Sequence, residues 1–208
     1  MSIPKQVKKY LDDKGVDYQE IVHRTVFTAY DAAQTLKREL KEVAKNLLIE
    51  ADKTHVLVII PADKKLDLAK LKKALGVKKV SIPKEQVMIK VLKIKPGALS
   101  SFGGLHKLET IIDRAMLKTK KVLLSSGSFT DSVLMKAKDF VQLEESKLAD
   151  IAMKGGYKIP KAVKKQMTKV KQKVARKKAA SRPKKKTTKK AVRKVTKRVV
   201  KKAVRKKK

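Results

Sequence analysis

The C-terminal quarter of the chain contains no acidic residue, and this constrains its folding more than any other feature. Residues 155–208 hold 26 lysines and arginines, whereas residues 1–154 hold the other 30 and all 19 acidic residues. A segment of that charge, with Tyr157 as its only aromatic side chain, cannot bury enough apolar surface to offset the entropy of ordering it. We therefore predict a globular domain over 1–154 and a Lys/Arg-rich tail over 155–208 that is largely disordered, or helical only when bound.

The composition of this tail predicts binding to nucleic acids. Lysines and arginines without acids or stacking aromatics contact phosphates and do not read bases, so binding should be salt-dependent and poorly selective. The expected contact residues lie beyond residue 183: Lys184, Lys185, Lys186, Arg193, Lys194, Arg198 and Arg205. The tail resembles those of linker histones and histone-like bacterial proteins. A solubilising tail stays open as an alternative, as does a membrane-surface role, which the lack of bulky apolar residues disfavours.

Several kinds of site are excluded or disfavoured by what the sequence lacks. It has no cysteine, hence no disulfide, thiolate metal site or cysteine nucleophile. The three histidines have no metal-site spacing, and there is no P-loop, GxGxxG or GxSxG motif, so we expect no metal and no cofactor. The start lacks a secretory signal, and no apolar run is long enough to cross a membrane. These features predict a soluble cytoplasmic protein with no membrane partner, and nucleoid association stays open for the tail.

The apolar pattern of the first 154 residues predicts a mixture of helices and strands. Helices are predicted over residues 4–14, 28–40, 63–75, 83–92 and 139–143. Strands are predicted over residues 18–23, 43–49, 55–60, 77–82, 110–112, 122–124 and 132–134, with a last apolar element over 148–151. Thr28 is the expected N-cap of the second helix. Because the order has no regular βαβ spacing, an α+β or mixed α/β domain is expected and a doubly wound parallel sheet is not.

Two features of this domain suggest a binding site. The segment 97–105 contains three glycines, and its backbone N–H groups are suited to holding a carbonyl or a phosphate, with a plain surface loop as the alternative. Lys45 interrupts an apolar strand. It is either a solvent-facing side chain or a cation in a pocket suited to a phosphate or a carboxylate.

A series of short motifs follows a fixed order along residues 18–152. Its segments are HRTVFTAYDAA over 23–33, AKNL over 44–47, VLVIIPAD over 56–63, LDLAKLKKALG over 66–76, PGALSSFG over 96–103, ID over 112–113, SG over 126–127, Asp139 and ADI over 149–151. No single piece is diagnostic, but the ordered series resembles the YbaK/prolyl-tRNA synthetase-associated editing family.

The resemblance implies a compact α+β domain with a mixed, curved sheet surrounded by helices. It implies trans-editing, which is hydrolysis of the ester between a wrong amino acid and the 3′ end of a tRNA, usually tRNA for proline carrying cysteine or alanine. Lys45 would grip the phosphate or ribose of the terminal adenosine, and the loop from Gly97 to Gly103 would hold the aminoacyl carbonyl. The remaining site residues implied are Ser126 and Gly127 beside the pocket and, for substrate binding, His23, Thr28, Ser101 and Phe102.

Two departures from the family keep an alternative function open. Ser101 stands where many members have proline, so a looser loop is expected and the amino acid that is edited cannot be carried over. The tail is an addition to the family's domain. The expected partner is tRNA, with DNA or rRNA through the tail and prolyl-tRNA synthetase left open. The alternative is a non-catalytic nucleic-acid-binding protein, nucleoid- or ribosome-associated, that uses the editing-type fold as a scaffold.

Overall fold

The structure, a computed structural model, describes residues 3–95 and 97–153, and the predicted tail lies outside them. Within these residues the α-helices are α1 (Lys5–Asp13), α2 (Ala29–Thr35), α3 (Leu68–Leu75), α4 (Glu85–Leu92) and α5 (Ala137–Leu143). The strands are β1 (Tyr18–Val22), β2 (Ala44–Ala51), β3 (Thr54–Pro61), β4 (Val80–Ser81), β5 (Glu109–Asp113), β6 (Lys121–Ser125), β7 (Asp131–Lys136) and β8 (Lys147–Ala149). Short 3-10 helices cover Leu40–Glu42, Gly103–His106 and Arg114–Lys118.

The strands form two sheets. One is antiparallel, with the order β1-β7-β6. The other has the order β4-β2-β3-β5-β8, in which the first three strands are antiparallel and the last three are parallel. A bridge between Val43 and Leu123 joins the start of β2 to β6. The predicted α+β class is therefore confirmed, with the expected mixed sheet divided into two.

Strand β3 forms the centre of the larger sheet and is buried on both faces. Leu57 and Ile59 belong to the largest hydrophobic cluster, which also contains Phe102 and Phe140. Val56, Val58 and Ile60 belong to a second cluster on the other face, with Leu71 of α3. A central strand covered on both sides reads as a continuous apolar run, which explains the VLVII sequence of β3.

The second and third helices are shorter than the sequence predicted. Thr28 does cap α2, since its Oγ1 accepts the N–H of Asp31 at 3.1 Å, but the helix ends at Thr35. The third helix begins only after Asp67, whose carboxylate accepts the N–H groups of Ala69 and Lys70. The preceding residues pair instead with the end of the domain, where the N–H of Asp67 donates to the carbonyl of Ile151 at 2.8 Å.

Candidate active site

Lys45 lies in the first half of β2, opposite Ile60 of β3. Its side chain is half-buried, and its Nζ donates a 2.5 Å hydrogen bond to the carbonyl oxygen of Lys64. Burial lowers the pKa of Lys45; the negative charge of Asp63 opposes this change, and the positive charge of Lys65 adds to it. Lys45 is thus a partly desolvated cation held by the segment that follows β3, and not a fully solvated surface lysine.

Asn46, the next residue of β2, ties this strand to the glycine-containing segment. Its Nδ2 donates to the carbonyl of Leu99 at 2.8 Å, and its Oδ1 accepts from the hydroxyl of Ser101 at 3.1 Å. Ser101 also bonds to β6, because its N–H donates to the carbonyl of Ser125 at 2.9 Å and its Oγ accepts the N–H of Ser125 at 3.0 Å. The segment is therefore fastened between β2 and β6 at Ser101.

This arrangement argues against the expectation that serine in place of proline makes the loop looser. Ser101 is fully buried, and its side chain and backbone both bond across to neighbouring strands. A proline has no N–H and could not donate to Ser125. In this chain Ser101 itself links the segment to β2 and to β6 by hydrogen bonds.

Two glycines lie where the segment meets its neighbours, and at Gly97 the approach is too close for a side chain. Gly97 has a φ of +85°, and a Cβ there would lie 2.9 Å from the carbonyl oxygen of Phe27 and 3.2 Å from the ring of Phe129. Gly127 has a φ of +87°, and a Cβ there would lie 3.4 Å from the carbonyl oxygen of Ala98. Both backbones are in the left-handed region that favours glycine. These contacts bring together segment 97–101, the end of β6 and the segment before α2.

The turn between β6 and β7 is held by hydroxyl groups. The Oγ of Ser126 donates to the carbonyl of Asp131 at 2.7 Å. Asp131 is buried, and its Oδ2 accepts from Ser128 at 2.9 Å and from Thr130 at 2.6 Å. Its Oδ1 has no hydrogen-bond partner among the described residues. The hydroxyl of Ser126 is thus engaged in the turn, and a buried carboxylate lies beside it.

His23 lies beside the same turn, and Thr28 is the N-cap of α2. The N–H of His23 donates to the carbonyl of Thr130 at 2.8 Å. Its ring Nδ1 lies 2.8 Å from the carbonyl of Arg24, so Nδ1 carries the proton in the neutral ring, and Nε2 accepts from Ser132 at 2.8 Å. Both side chains already have hydrogen-bond partners within the domain.

Phe102 and Gly103 make their contacts elsewhere. The ring of Phe102 is fully buried and packs against Tyr10 of α1 and Phe140 of α5, with centroid distances of 6.1 Å in both cases. The N–H of Gly103 donates to Oε2 of Glu144 at 2.7 Å. That N–H therefore already has a carboxylate as its acceptor. The resemblance had implied that the backbone of this loop holds the aminoacyl carbonyl.

Comparison with known proteins assigns this arrangement to a family. The family model of the aminoacyl-tRNA editing domain matches residues 23–143, which include Lys45, Asn46, Ser101 and the β6–β7 turn. The chain belongs to the aminoacyl-tRNA editing family. Two relatives are named as an editing protein and a deacylase, which are hydrolases that act on aminoacyl-tRNA.

Two relatives and one solved structure illustrate the likeness. The prolyl-tRNA editing protein ProX of Acetoanaerobium sticklandii is 27% identical over 139 residues, which cover 64% of this chain and 85% of ProX. The multifunctional Ser/Thr-tRNA deacylase ProXp-y of Escherichia coli K12 is 22% identical over 145 residues, covering 67% of this chain and 87% of that protein. A crystal structure described as a candidate trans-editing enzyme for prolyl tRNA synthetase has a TM-score of 0.60 and 18% identity, over 73% of this chain and 99% of that one. It shares the fold.

Sequence reasoning missed three polar residues of this editing domain. Asn46 and Asp131 are described above, and Ser100 places its Oγ 2.9 Å from Nε2 of His106. Burial lowers the pKa of His106. A signal was available for two of them, since Asn46 follows a lysine in an apolar strand and Asp131 begins β7, two residues before its apolar run. Nothing in the spacing of Ser100 and His106 pointed to their contact.

The seven tail residues predicted to contact nucleic acid, from Lys184 to Arg205, lie outside the described residues. None of the helices in the described part of this editing-family chain is long and apolar enough to span a membrane.

Proposed function

We propose that this protein is a trans-editing deacylase that hydrolyses mischarged tRNA, in particular tRNA for proline carrying cysteine or alanine. The observation that carries the proposal is the half-buried Lys45, with Asn46 beside it bonding the glycine-containing segment to the same end of β2. The printed name of ProX supports tRNA for proline as the substrate. The name of ProXp-y makes serine and threonine the second candidates for the edited amino acid.

The role that we assign to Lys45 is to bind the phosphate or ribose of the terminal adenosine. Its hydrogen bond to the carbonyl of Lys64 holds the ammonium in place before substrate arrives, so little reorganisation is needed on binding. A partly desolvated cation attracts an anion more strongly than a fully hydrated one. Binding of this kind positions the ester beside segment 97–101 and reduces the entropy that the reaction must lose.

The chemical step needs no nucleophile from the protein. Water attacks the carbonyl carbon of the ester, the bond from that carbon to the ribose oxygen breaks, and the ribose oxygen leaves with a proton, giving free amino acid and tRNA. The neighbouring ribose hydroxyl assists the water. Segment 97–101 and Gly127 form the wall beside the amino acid, and the size of this space selects which side chain fits.

The tail has a supporting role in this proposal. Its 26 positive charges would supply phosphate contacts along the tRNA, and tethering them to the domain would raise the local concentration of substrate. DNA or rRNA would bind to the same charges. We place the reaction in the cytoplasm, where docking on prolyl-tRNA synthetase would bring the domain close to newly charged tRNA.

The test of the proposal is deacylation by the full chain of tRNA for proline charged in turn with alanine, cysteine, serine, threonine and proline. Hydrolysis of one or more mischarged forms above the buffer rate, with correctly charged tRNA spared, is the expected result. Tight binding of tRNA with no hydrolysis of any form would favour the non-catalytic scaffold instead.

A further inference from the structure

Phe27 has the most exposed large hydrophobic side chain in the described part of the chain. Its exposed fraction is 63%, and its ring centroid lies 5.2 Å from that of Phe129, with an angle of 51° between the rings. Phe129 is half-buried and supports Phe27 from one side. An aromatic ring left this exposed adds little to the core, because most of its surface still faces water.

The aromatic pair, Phe27 with Phe129, borders the candidate active site. The backbone of Gly97 lies against both residues, and the next residue along, Ala98, lies against Gly127. The backbone before Phe27 runs beside the β6–β7 turn, where the N–H of Val26 donates to the carbonyl of Phe129 at 2.9 Å. The pair therefore continues the wall that we assign to the aminoacyl ester, and no step of the reaction uses it.

Basic side chains occur on two segments next to the aromatic pair: the segment that carries Phe27 and the segment that leads into Gly97. Arg24 is exposed, and its Nε donates to Thr35 of α2 at 3.0 Å. Lys95 is exposed and belongs to the turn that leads into Gly97, since its carbonyl accepts the N–H of Ala98 at 3.0 Å. An exposed aromatic surface on segments that also carry cations suits a nucleobase with its negatively charged phosphates.

We propose that the ring of Phe27, supported by Phe129, stacks the terminal base of the single-stranded 3′ end of tRNA. The inference rests on the proposed function, because binding of the 3′ end of tRNA for editing is what would bring the terminal base next to Gly97. Every base has a face that can stack, so the contact adds affinity without selecting among tRNA sequences. Removing one such ring lowers affinity by about 5- to 150-fold.

A binding experiment tests the stacking without relying on hydrolysis. The chain contains no tryptophan, so F27W in the full chain gives a single fluorescent reporter. It is titrated with a short RNA ending in CCA and with an RNA of equal length whose 3′-terminal nucleotide is abasic. Because the two RNAs carry the same phosphates, binding to the basic tail is equal for both.

The expected result is stronger quenching of F27W and several-fold tighter binding for the RNA with the terminal base. The matched control is I82W. Ile82 is 58% exposed and follows β4, an edge strand of the five-stranded sheet. I82W should respond equally to the two RNAs. Equal responses of F27W to the two RNAs would overturn the proposal.

Steady-state kinetics separates stacking from a merely structural role. F27A should raise KM for mischarged tRNA by about 5- to 150-fold with kcat nearly unchanged, whereas F27Y should restore the wild-type KM. An unchanged KM for F27A, or a loss confined to kcat, would contradict stacking. If F27W senses the terminal base while no mischarged tRNA is hydrolysed, the deacylase proposal fails and the stacking site stands.

Discussion

A few hydrogen bonds from individual side chains determine the geometry near Lys45. Asn46 accepts from Ser101 and donates to Leu99, and Ser101 in turn bonds to both backbone groups of Ser125. Each of these groups is wholly or partly buried, so losing one partner leaves another without a hydrogen bond. The polar groups beside Lys45 are therefore interdependent.

Replacement of Ser101 by alanine should destabilise the domain. It removes one hydroxyl that bonds to Asn46 and Ser125, and leaving those buried groups unsatisfied costs about 1–3 kcal/mol. The measurement is the free energy of unfolding in urea. Ser81→Ala is the control, because its hydroxyl bonds to the exposed Glu50, and its effect should stay within about 0.5 kcal/mol. Equal effects of the two substitutions would show that Ser101 does not fasten the segment.

The charge of Lys45 predicts a pH dependence. Since burial lowers its pKa, Lys45 loses its proton at a lower pH than an ordinary lysine, and kcat/KM corrected for the buffer rate should fall as the pH rises through that value. Lys45→Arg stays protonated throughout and should move the alkaline fall to higher pH. The same alkaline limb in both proteins would assign it to another group.

At the scale of elements, local sequence signals predicted the β2–β3 hairpin and the start of α2 but not the start of α3. The β2–β3 hairpin follows from two apolar runs separated by a polar turn, and the cap of α2 follows from Thr28. The start of α3 depends on distant contacts, because residues 65–67 pair with the backbone of residues 151–153. Such pairing has no signature in the residues near Asp63, so the helix was predicted to begin too early.

Gly97 should be intolerant of a side chain because of where segment 97–101 packs. Alanine there adopts an unfavourable φ and also meets the carbonyl of Phe27, so a loss of about 1–3 kcal/mol of unfolding free energy is expected, together with a raised KM. Gly15→Ala is a matched control, since its φ is +62° and a Cβ there meets nothing within 4 Å. It should show only the cost of the backbone conformation. Equal losses for the two variants would argue against tight packing at Gly97.

At the scale of the whole molecule, the fold class and family were predictable from the order of short motifs, and the arrangement of the site was not. The motifs named Lys45, Gly97, Ser126 and Gly127, which lie on segments that contact one another or are joined through Asn46 and Ser101. They also named Gly103, whose N–H bonds to Glu144 across the domain. A motif records which residues recur along the chain, whereas the direction of an N–H depends on the packing of distant elements. The domain boundary at residue 154 stays a prediction.

Deletion of residues 155–208 tests the contribution of the tail. The truncated protein should show a raised KM for mischarged tRNA and a weaker dependence of KM on salt, while kcat changes little. If the tail neutralises about eight phosphates, the affinity of the full chain should fall with a log–log salt slope of about −6 to −7. An unchanged KM at moderate salt would mean that the tail does not assist editing.

The central claim is that Lys45 holds the mischarged end of the tRNA for hydrolysis. The most direct test is the single-turnover deacylation rate of the best mischarged tRNA by wild type, Lys45→Ala and Lys53→Ala, the last being an exposed lysine in the turn after β2. We predict a loss of about 100-fold or more for Lys45→Ala and a wild-type rate for Lys53→Ala. A Lys45→Ala protein that folds normally and hydrolyses at the wild-type rate would contradict the account.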